Sequence, residues 1–336
     1  MKYQWLYILF FVLVRSVEGQ EAKTDVVVHD PVMIRQNDIY YVFCTGRGIS
    51  VWKSSDLKHW IKEKPVFASA PSWIKETIPE FKGDFWAPDI SYYRGLYYLF
   101  YAVSVFGKNS SCIGVATNKT LDPADKDFKW TDHGKVIESI PGKTNWNAID
   151  PNLVVDREER PYLAFGSFWD GIKLVRLRKD AMRPAESLAT LPTIARRFRE
   201  VPRNHNYPLT AGSNAIEAPF IFRRNGWYYL FASIDYCCRG NESTYKVIVG
   251  RSANLQGPYI DKRGVAMTEG GGTILLQGNS LWHGAGHNAV YTVDKNDLLI
   301  FHGYDALDGG KPKLRIETLK WDETDWPVLQ SPGGNH

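Results

Sequence analysis

Carboxyl side chains recur along this 336-residue chain in a pattern that could build an acid/base site. Glu217 opens the string EAPFIFRRNGWYYLFASID. Asp30, Asp89, Asp150 and His287 hold matching places in HDPVMIRQNDIYYVF, APDISYYRGLYYLFY, IDPNLVVDREERPYLAF and GHNAVYTVDKNDLLIF. The five positions lie roughly 60 to 70 residues apart. Hydrolysis of a glycosidic bond needs two such groups, one giving a proton to the leaving oxygen and one activating water or attacking. The proton donor must be held protonated near neutral pH by burial or a neighbouring negative charge. Glu217 suits that role, because it has the longer reach and its neighbours Ile216, Ala218 and Pro219 are apolar. Asp30 and Asp150 are each followed by proline, which stiffens the local backbone and defines the carboxylate. A single aspartate at a strand start is explained by turn chemistry alone. Five polar residues in register call for a common axis.

The elements around these residues must bring them together. Each copy is a short apolar strand, a turn rich in Asn, Asp, Arg or Gly, and a second strand ending in Phe or Tyr. Asn225-Gly226 between two apolar runs is a strong hairpin signal, because both turn positions need positive φ. A strand-only repeat of this period predicts an all-β fold, a five-bladed β-propeller. The first strand of each blade would line the channel, so four carboxylates and one histidine would meet there. Blade one is expected over 26–60, and the others open at Asp89, Asp150, Glu217 and His287. Residues 180–200 read as an irregular or helix-like patch. The connection 64–83 would cross the top of the fold, with Trp73 near the channel.

Composition narrows the reading. A net charge of +4 with no basic block implies no nucleic acid. The 12 Trp, 18 Tyr and 16 Phe suit strands and also surfaces that stack on sugar rings. Residues 1–19 read as a secretory signal: Lys2, a ten-residue apolar core too short to span a bilayer, then small residues at Val17 and Gly19. Cleavage is expected near Gly19–Gln20, leaving 20–336 as one propeller domain, secreted or periplasmic, with no membrane contact and no partner chain. Cys44, Cys112, Cys237 and Cys238 are too few for a disulfide scaffold, and their pairing stays open. Asn109, Asn118 and Asn241 begin glycosylation sequons.

As a set, His29-Asp30-Pro31, Trp86-Ala87-Pro88-Asp89, Asn147-Ala148-Ile149-Asp150-Pro151, Ser167-Phe168-Trp169, Ile216-Glu217-Ala218-Pro219 and Gly286-His287-Asn288 resemble glycoside hydrolase family 43. Asn-Ala-Ile-Asp, Ser-Phe-Trp and Asp235-Tyr-Cys-Cys-Arg-Gly look like its endo-1,5-α-L-arabinanase branch. The resemblance implies inverting hydrolysis of arabinan, with Asp30 as general base, Glu217 as general acid and Asp150 as the group that tunes and orients Glu217. It implies substrate contacts at Asp30, Gly107, Asn147, Ala148, Ile149, Asp150, Ser167, Phe168 and Trp169. No cofactor is needed for the chemistry, and His287 would contact a hydrated ion such as calcium. One departure is Ala285, where the family usually has proline before Gly-His.

Trp86 is a further candidate substrate contact, although Trp86, Trp146 and Trp169 suit core packing as well as sugar platforms. Asp89 suits structure better than catalysis. The alternative functions are exo-acting arabinanase, arabinofuranosidase or xylosidase action on the same scaffold, a carbohydrate-binding propeller without catalysis, and a fructan-active retaining hydrolase. Three central carboxylates argue against the binding module. The last group's Arg-Asp-Pro and Glu-Cys motifs are absent.

Overall fold

The computed structural model describes residues 22–198 and 213–329. Its strands form five antiparallel sheets arranged as the blades of a five-bladed β-propeller. From the axis outward, blade one is Val32–Gln36, Ile39–Cys44, Ser50–Ser54 and Ile61–Lys62. Blade two is Asp84–Tyr93, Leu96–Val103, Ser111–Asn118 and Thr131–Ser139. Blade three is Asn152–Val155, Pro161–Phe165, Ile172–Arg176 and Thr193–Ala195. Blade four is Ile216–Arg224, Trp227–Ile234, Lys246–Ser252 and Thr273–Gln277. Blade five is Trp282–Val293, Asn296–Asp305, Lys311–Trp321 and Ala22–Val27. Each innermost strand touches that of the next blade, and the last touches the first.

The hairpins form as their turn residues require. Asn225 and Gly226 have φ of 45° and 82°, and Arg224 pairs with Trp227 across them. Both turn residues of a tight hairpin take such values so that the turn follows the strand twist. Arg94 and Gly95 do the same in blade two. Every second strand buries a phenylalanine: Phe43, Phe100, Phe165, Phe231 and Phe301 are at most 2% exposed. Truncating one such ring costs about 3–5 kcal/mol. Apolar clusters between neighbouring blades knit the ring together.

Three expectations need correction. The first described strand does not begin blade one. Ala22–Val27 pairs with Lys311–Trp321 as the outer strand of blade five, so the start of the chain closes the ring. A local pattern cannot show this, because the partner strand is about 290 residues away, as in the bond from Thr24 to the Leu314 carbonyl. Second, 180–198 is irregular with a short 3-10 turn, Leu188–Thr190, as expected, but it also holds blade three's outer strand, Thr193–Ala195. Third, Trp73 lies away from the channel, on the short helix Ser72–Thr77, and its indole donates to Asp132 on blade two's outer strand. The expected cleavage site, and residues 203–212 of the segment leading into blade four, lie outside the described residues. Asn109 and Asn118 are buried and so closed to glycans, whereas Asn241 is exposed.

Candidate active site

At the mouth of each innermost strand one residue takes a left-handed conformation: Asp30, Ala87, Asp150, Ala218 and His287, with φ between 42° and 55°. Proline follows four of the five. A non-glycine residue held this way costs of order 1–3 kcal/mol, and such strain concentrates at functional sites. The kink turns Asp30, Asp150 and His287 toward the channel. Glu217 sits one residue before its blade's kink and Asp89 two after, so the five positions do not superpose strictly. Asp89 is the one displaced. Its carboxylate accepts from Leu153 N at 2.9 Å and from Asn152 Nδ2 at 3.0 Å, joining blade two to blade three. Asn152 in turn accepts from Ile221 N of blade four. Three carboxylates, not four, share the site.

Asp30 is held from three sides. Thr45 Oγ1 donates to its Oδ2 at 2.6 Å. His29 Nδ1 and His287 Nδ1 lie 2.8 and 3.0 Å from its Oδ1. Burial favours the neutral acid, but the charge of His287 and the hydrogen bonds of His287 and His29 outweigh it, and the carboxyl is held well below its usual range. His287 is correspondingly pushed up to about 9: burial opposes its charge, and Asp30 more than compensates. The third imidazole is different. Asp30 N–H donates to His302 Nδ1 at 3.1 Å, so that nitrogen carries a lone pair. Full burial keeps His302 neutral.

Asp150 and Glu217 form the opposite environment. Asp150 accepts from Ala218 N at 3.1 Å. Burial pushes its proton affinity up, and the charges of Glu217 and Asp30 add to this, with His287 opposing. Glu217 accepts from Ser167 Oγ at 2.6 Å and from Tyr245 OH at 2.7 Å. The Tyr245 phenol is raised well above its usual range by burial, then by Glu217, and stays a donor. The two carboxyls share one buried site, and it is Asp150 whose neutral form burial and the neighbouring carboxylates favour. Among the described residues, no hydrogen bond joins Asp30 to Glu217. The arrangement therefore sets Asp30, whose ionised form is favoured, apart from Asp150 beside Glu217, whose protonated form is favoured. That is the division of labour acid/base hydrolysis needs.

Other expected contacts divide. Ser167 is in the site through its bond to Glu217. Phe168 is half-buried, its amide bonded to the Ile216 carbonyl, and its ring faces Tyr236 at 6.1 Å. Gly107 is exposed, with open space around it. Asn147 accepts from Ser111 Oγ at 2.6 Å. The Ala148 and Ile149 side chains pack in the core between blades two and three, leaving only their backbone for any ligand. Trp146 belongs to the same core, and Trp86 packs against it. Trp169 is 3% exposed, too enclosed for a broad stacking surface.

Several participants carried no signal in the sequence pattern: Thr45, Tyr245, His302 and Tyr304 lie on second or third strands or the loops beside them. Gly286 did carry one. A Cβ there would meet the Tyr245 ring at 2.1 Å, so only glycine lets Tyr245 reach Glu217. Cys237 and Cys238, whose pairing stood open, form a disulfide with each other, and Cys44 and Cys112 are buried free thiols.

An ion beside His287 must be judged by its donors. Calcium takes oxygen ligands. His287 offers nitrogen, and its Nδ1 already engages Asp30. The nearby group able to ligate directly is His29, Asp30 and His302, a nitrogen-rich set. Calcium therefore fits only through water. The buried, unpartnered His302 Nε2 and Asn288 amide are polar atoms available to such waters.

Comparison with known proteins bears on the same residues. The family described as glycosyl hydrolases family 43 matches residues 24–327. The chain is similar to an extracellular exo-alpha-(1->5)-L-arabinofuranosidase of Cellvibrio japonicus (strain Ueda107), at 48% identity over 302 residues, covering 90% of this chain and 86% of that protein. It is 44% identical over 305 residues to the extracellular endo-alpha-(1->5)-L-arabinanase 1 of Bacillus subtilis (strain 168), covering 90% and 87%. The solved structure of Cellvibrio cellulosa alpha-L-arabinanase complexed with arabinohexaose superposes with a TM-score of 0.87 at 47% identity, covering 91% of this chain and 96% of that one.

Proposed function

The chain belongs to glycosyl hydrolase family 43, and from that premise we propose that it hydrolyses internal α-1,5-L-arabinofuranosyl linkages of arabinan with inversion. The observation that carries the reading is the contrast between Asp30 and the Asp150–Glu217 pair. Asp30 is the general base. Its Oδ1 is occupied by two imidazoles, whereas Oδ2 has Thr45 alone and a lone pair to spare. Oδ2 takes a proton from water as that water attacks the anomeric carbon. Glu217 is the general acid and delivers its proton to the departing glycosidic oxygen on the opposite side of the ring. Asp150 tunes and orients Glu217: it is a second buried carboxyl whose own proton is favoured, and through Ala218 N–H it holds the backbone beside Glu217 in place. Water ends bonded to the sugar, Asp30 ends protonated and Glu217 ionised, and exchange with solvent resets both.

Asn147, Ser167, Phe168, Gly107 and Trp86 are read as contacts of the arabinan chain, with Ala148 and Ile149 contributing backbone only and Trp169 no more than an edge of its enclosed ring. Arabinan is the partner, and secretion as a monomer belongs to the same reading, supported by relatives whose names call them extracellular. An ion beside His287, held through water, would supply positive charge near the carboxylates, and every proton transfer above runs without it.

Endo-action is favoured by the Asn-Ala-Ile-Asp, Ser-Phe-Trp and Asp-Tyr-Cys-Cys-Arg-Gly motifs. Exo-action is the second reading, favoured by the Cellvibrio relative. Early digestion of debranched arabinan separates them: a ladder of oligosaccharides is expected, and one small product from the first minutes would establish exo-action. NMR of the first-formed reducing ends reads the stereochemistry. Retention of configuration would refute the roles of Asp30 and Glu217.

A further inference from the structure

The His29 ring that holds Asp30 is itself held from outside the catalytic group. Its Nδ1 faces Asp30 Oδ1 at 2.8 Å, and its Nε2 lies 2.8 Å from Tyr304 OH on the second strand of blade five. Tyr304 OH also receives the backbone N–H of Cys238 at 2.7 Å. The distances fit one consistent set of bond directions when His29 is neutral. Cys238 N–H donates to the phenol oxygen, the phenol donates to His29 Nε2, and His29 Nδ1–H donates to the carboxylate. Which nitrogen of an imidazole carries the proton is set by the bond its other nitrogen makes. Tyr304 is 2% exposed and packs edge-on to His302 at 5.3 Å, so its hydroxyl has a fixed place.

The donor at the head of the series comes from an unusual loop. Cys237 and Cys238 are joined to each other, Cys238 has φ of 67°, and its Sγ lies 3.7 Å from His29 Nε2. The bridge ties two adjacent residues into a small ring and limits where the Cys238 N–H can point. Thr244 and Ser243 pin the loop further, through Thr244 N to the Tyr236 carbonyl and Arg239 N to Ser243 Oγ. Gly284, with φ of 50°, leaves room beside them: a Cβ there would meet Ser243 Cβ at 2.3 Å and Tyr304 Cδ2 at 3.0 Å.

We propose that Tyr304 and the Cys237–Cys238 loop are positioning residues for the Asp30 base: they hold the His29 ring with its Nδ1–H on the carboxylate, and neither touches substrate atoms in this role. The proposal rests on the reading of Asp30 as base. His287 and Thr45 still hold Asp30 when the series is broken, so the base is loosened rather than lost. Groups that orient a ligand through a histidine typically matter by ~10–100-fold, and the lower end is expected.

The test uses Tyr304→Phe, which keeps the ring and deletes the hydroxyl, together with Cys237→Ala/Cys238→Ala, which keeps the Cys238 backbone and removes the tie. Both are measured on debranched arabinan, with Asp30→Asn as reference. Tyr304→Phe is expected to lower kcat about tenfold with KM within twofold, and the double variant to lower it less in the same direction. Nitrogen-15 NMR of the His29 imidazole is expected to show the Nδ1–H tautomer in the native protein and its loss in Tyr304→Phe. Wild-type kcat and an unchanged His29 spectrum in Tyr304→Phe, with Asp30→Asn inactive, overturn this inference and leave the base intact. If Tyr304→Phe does not fold, wild-type kcat in the double variant overturns the inference, and a loss of kcat with KM unchanged supports it. Full activity in Asp30→Asn overturns both readings.

Discussion

Among the described residues, His287 is the cation placed to act on both halves of the proposed acid/base machinery, and His287→Asn removes its charge while leaving an N–H that can still face Asp30. The native ring nitrogen is 3.0 Å from Asp30 Oδ1. Unit charges at that distance interact by about 5 kcal/mol at an effective dielectric near 20. Relaxation and the retained hydrogen bond reduce what the substitution removes, so about 1.4 kcal/mol is a safe lower figure, one pH unit of proton affinity. The signs follow from the site. His287 lowers the proton affinity of Asp30 and also opposes protonation of Asp150. Without its charge both rise. The acid limb of the kcat/KM profile, where the base must lose its proton, moves up in pH. The alkaline limb, set by loss of the proton that Asp150 favours, moves up as well. The whole bell should shift to higher pH by about a unit. Initial rates on debranched arabinan at low substrate, from pH 3 to 10, measure it. Limbs that stay still, or that move apart, would refute the electrostatic account of the site.

Further outcomes follow from the same geometry. Asp30→Asn and Glu217→Gln should each lower kcat/KM by ~10²-fold or more with folded circular-dichroism spectra; wild-type rates in either would remove it from the reaction. Gly286→Ala should push Tyr245 off Glu217, because the new methyl would overlap its ring; a fall in kcat with a lowered Tm is expected, and unchanged values of both would contradict the packing. Gly226→Ala meets only Arg157 Nη2 at 3.7 Å, so its cost is conformational, from φ of 82°; about 1 kcal/mol should be lost in urea denaturation, with activity intact. Because folded His287 titrates near 9, above its unfolded value, its contribution to stability is complete below about pH 6.5 and is lost as pH rises through about 9. Tm should therefore fall over that window in the native protein and less in His287→Asn.

The propeller and its three carboxylates are legible in the chain because each rests on local chemistry repeated five times. Asn225-Gly226 can close a hairpin with no help from elsewhere, and strand alternation is a property of neighbouring residues. Recurrence then implies an axis, and an axis implies that strand-start residues converge. The same reasoning grouped Asp89 with the others, and there the structure decides differently: a shift of two residues past the kink points its carboxylate at Asn152 and Leu153 of the next blade. No pattern in a single strand records that shift.

The surroundings of the carboxylates were legible only in part, as Gly286 illustrates. His302 and Tyr304 reach Asp30 and His29 across 272 and 275 residues of chain. Tyr245 meets Glu217 only because Gly286, on another blade, carries no side chain. The identity of Ala22–Val27 as the last blade's outer strand belongs to the same class, since it exists only once the ring has closed. Residue types and spacing determine which groups are available and which turns form, because those depend on a few adjacent dihedrals. Which group holds its proton, and on which nitrogen, depends on charges brought within 3 Å from separate blades, and that distance is a property of the packed ring as a whole.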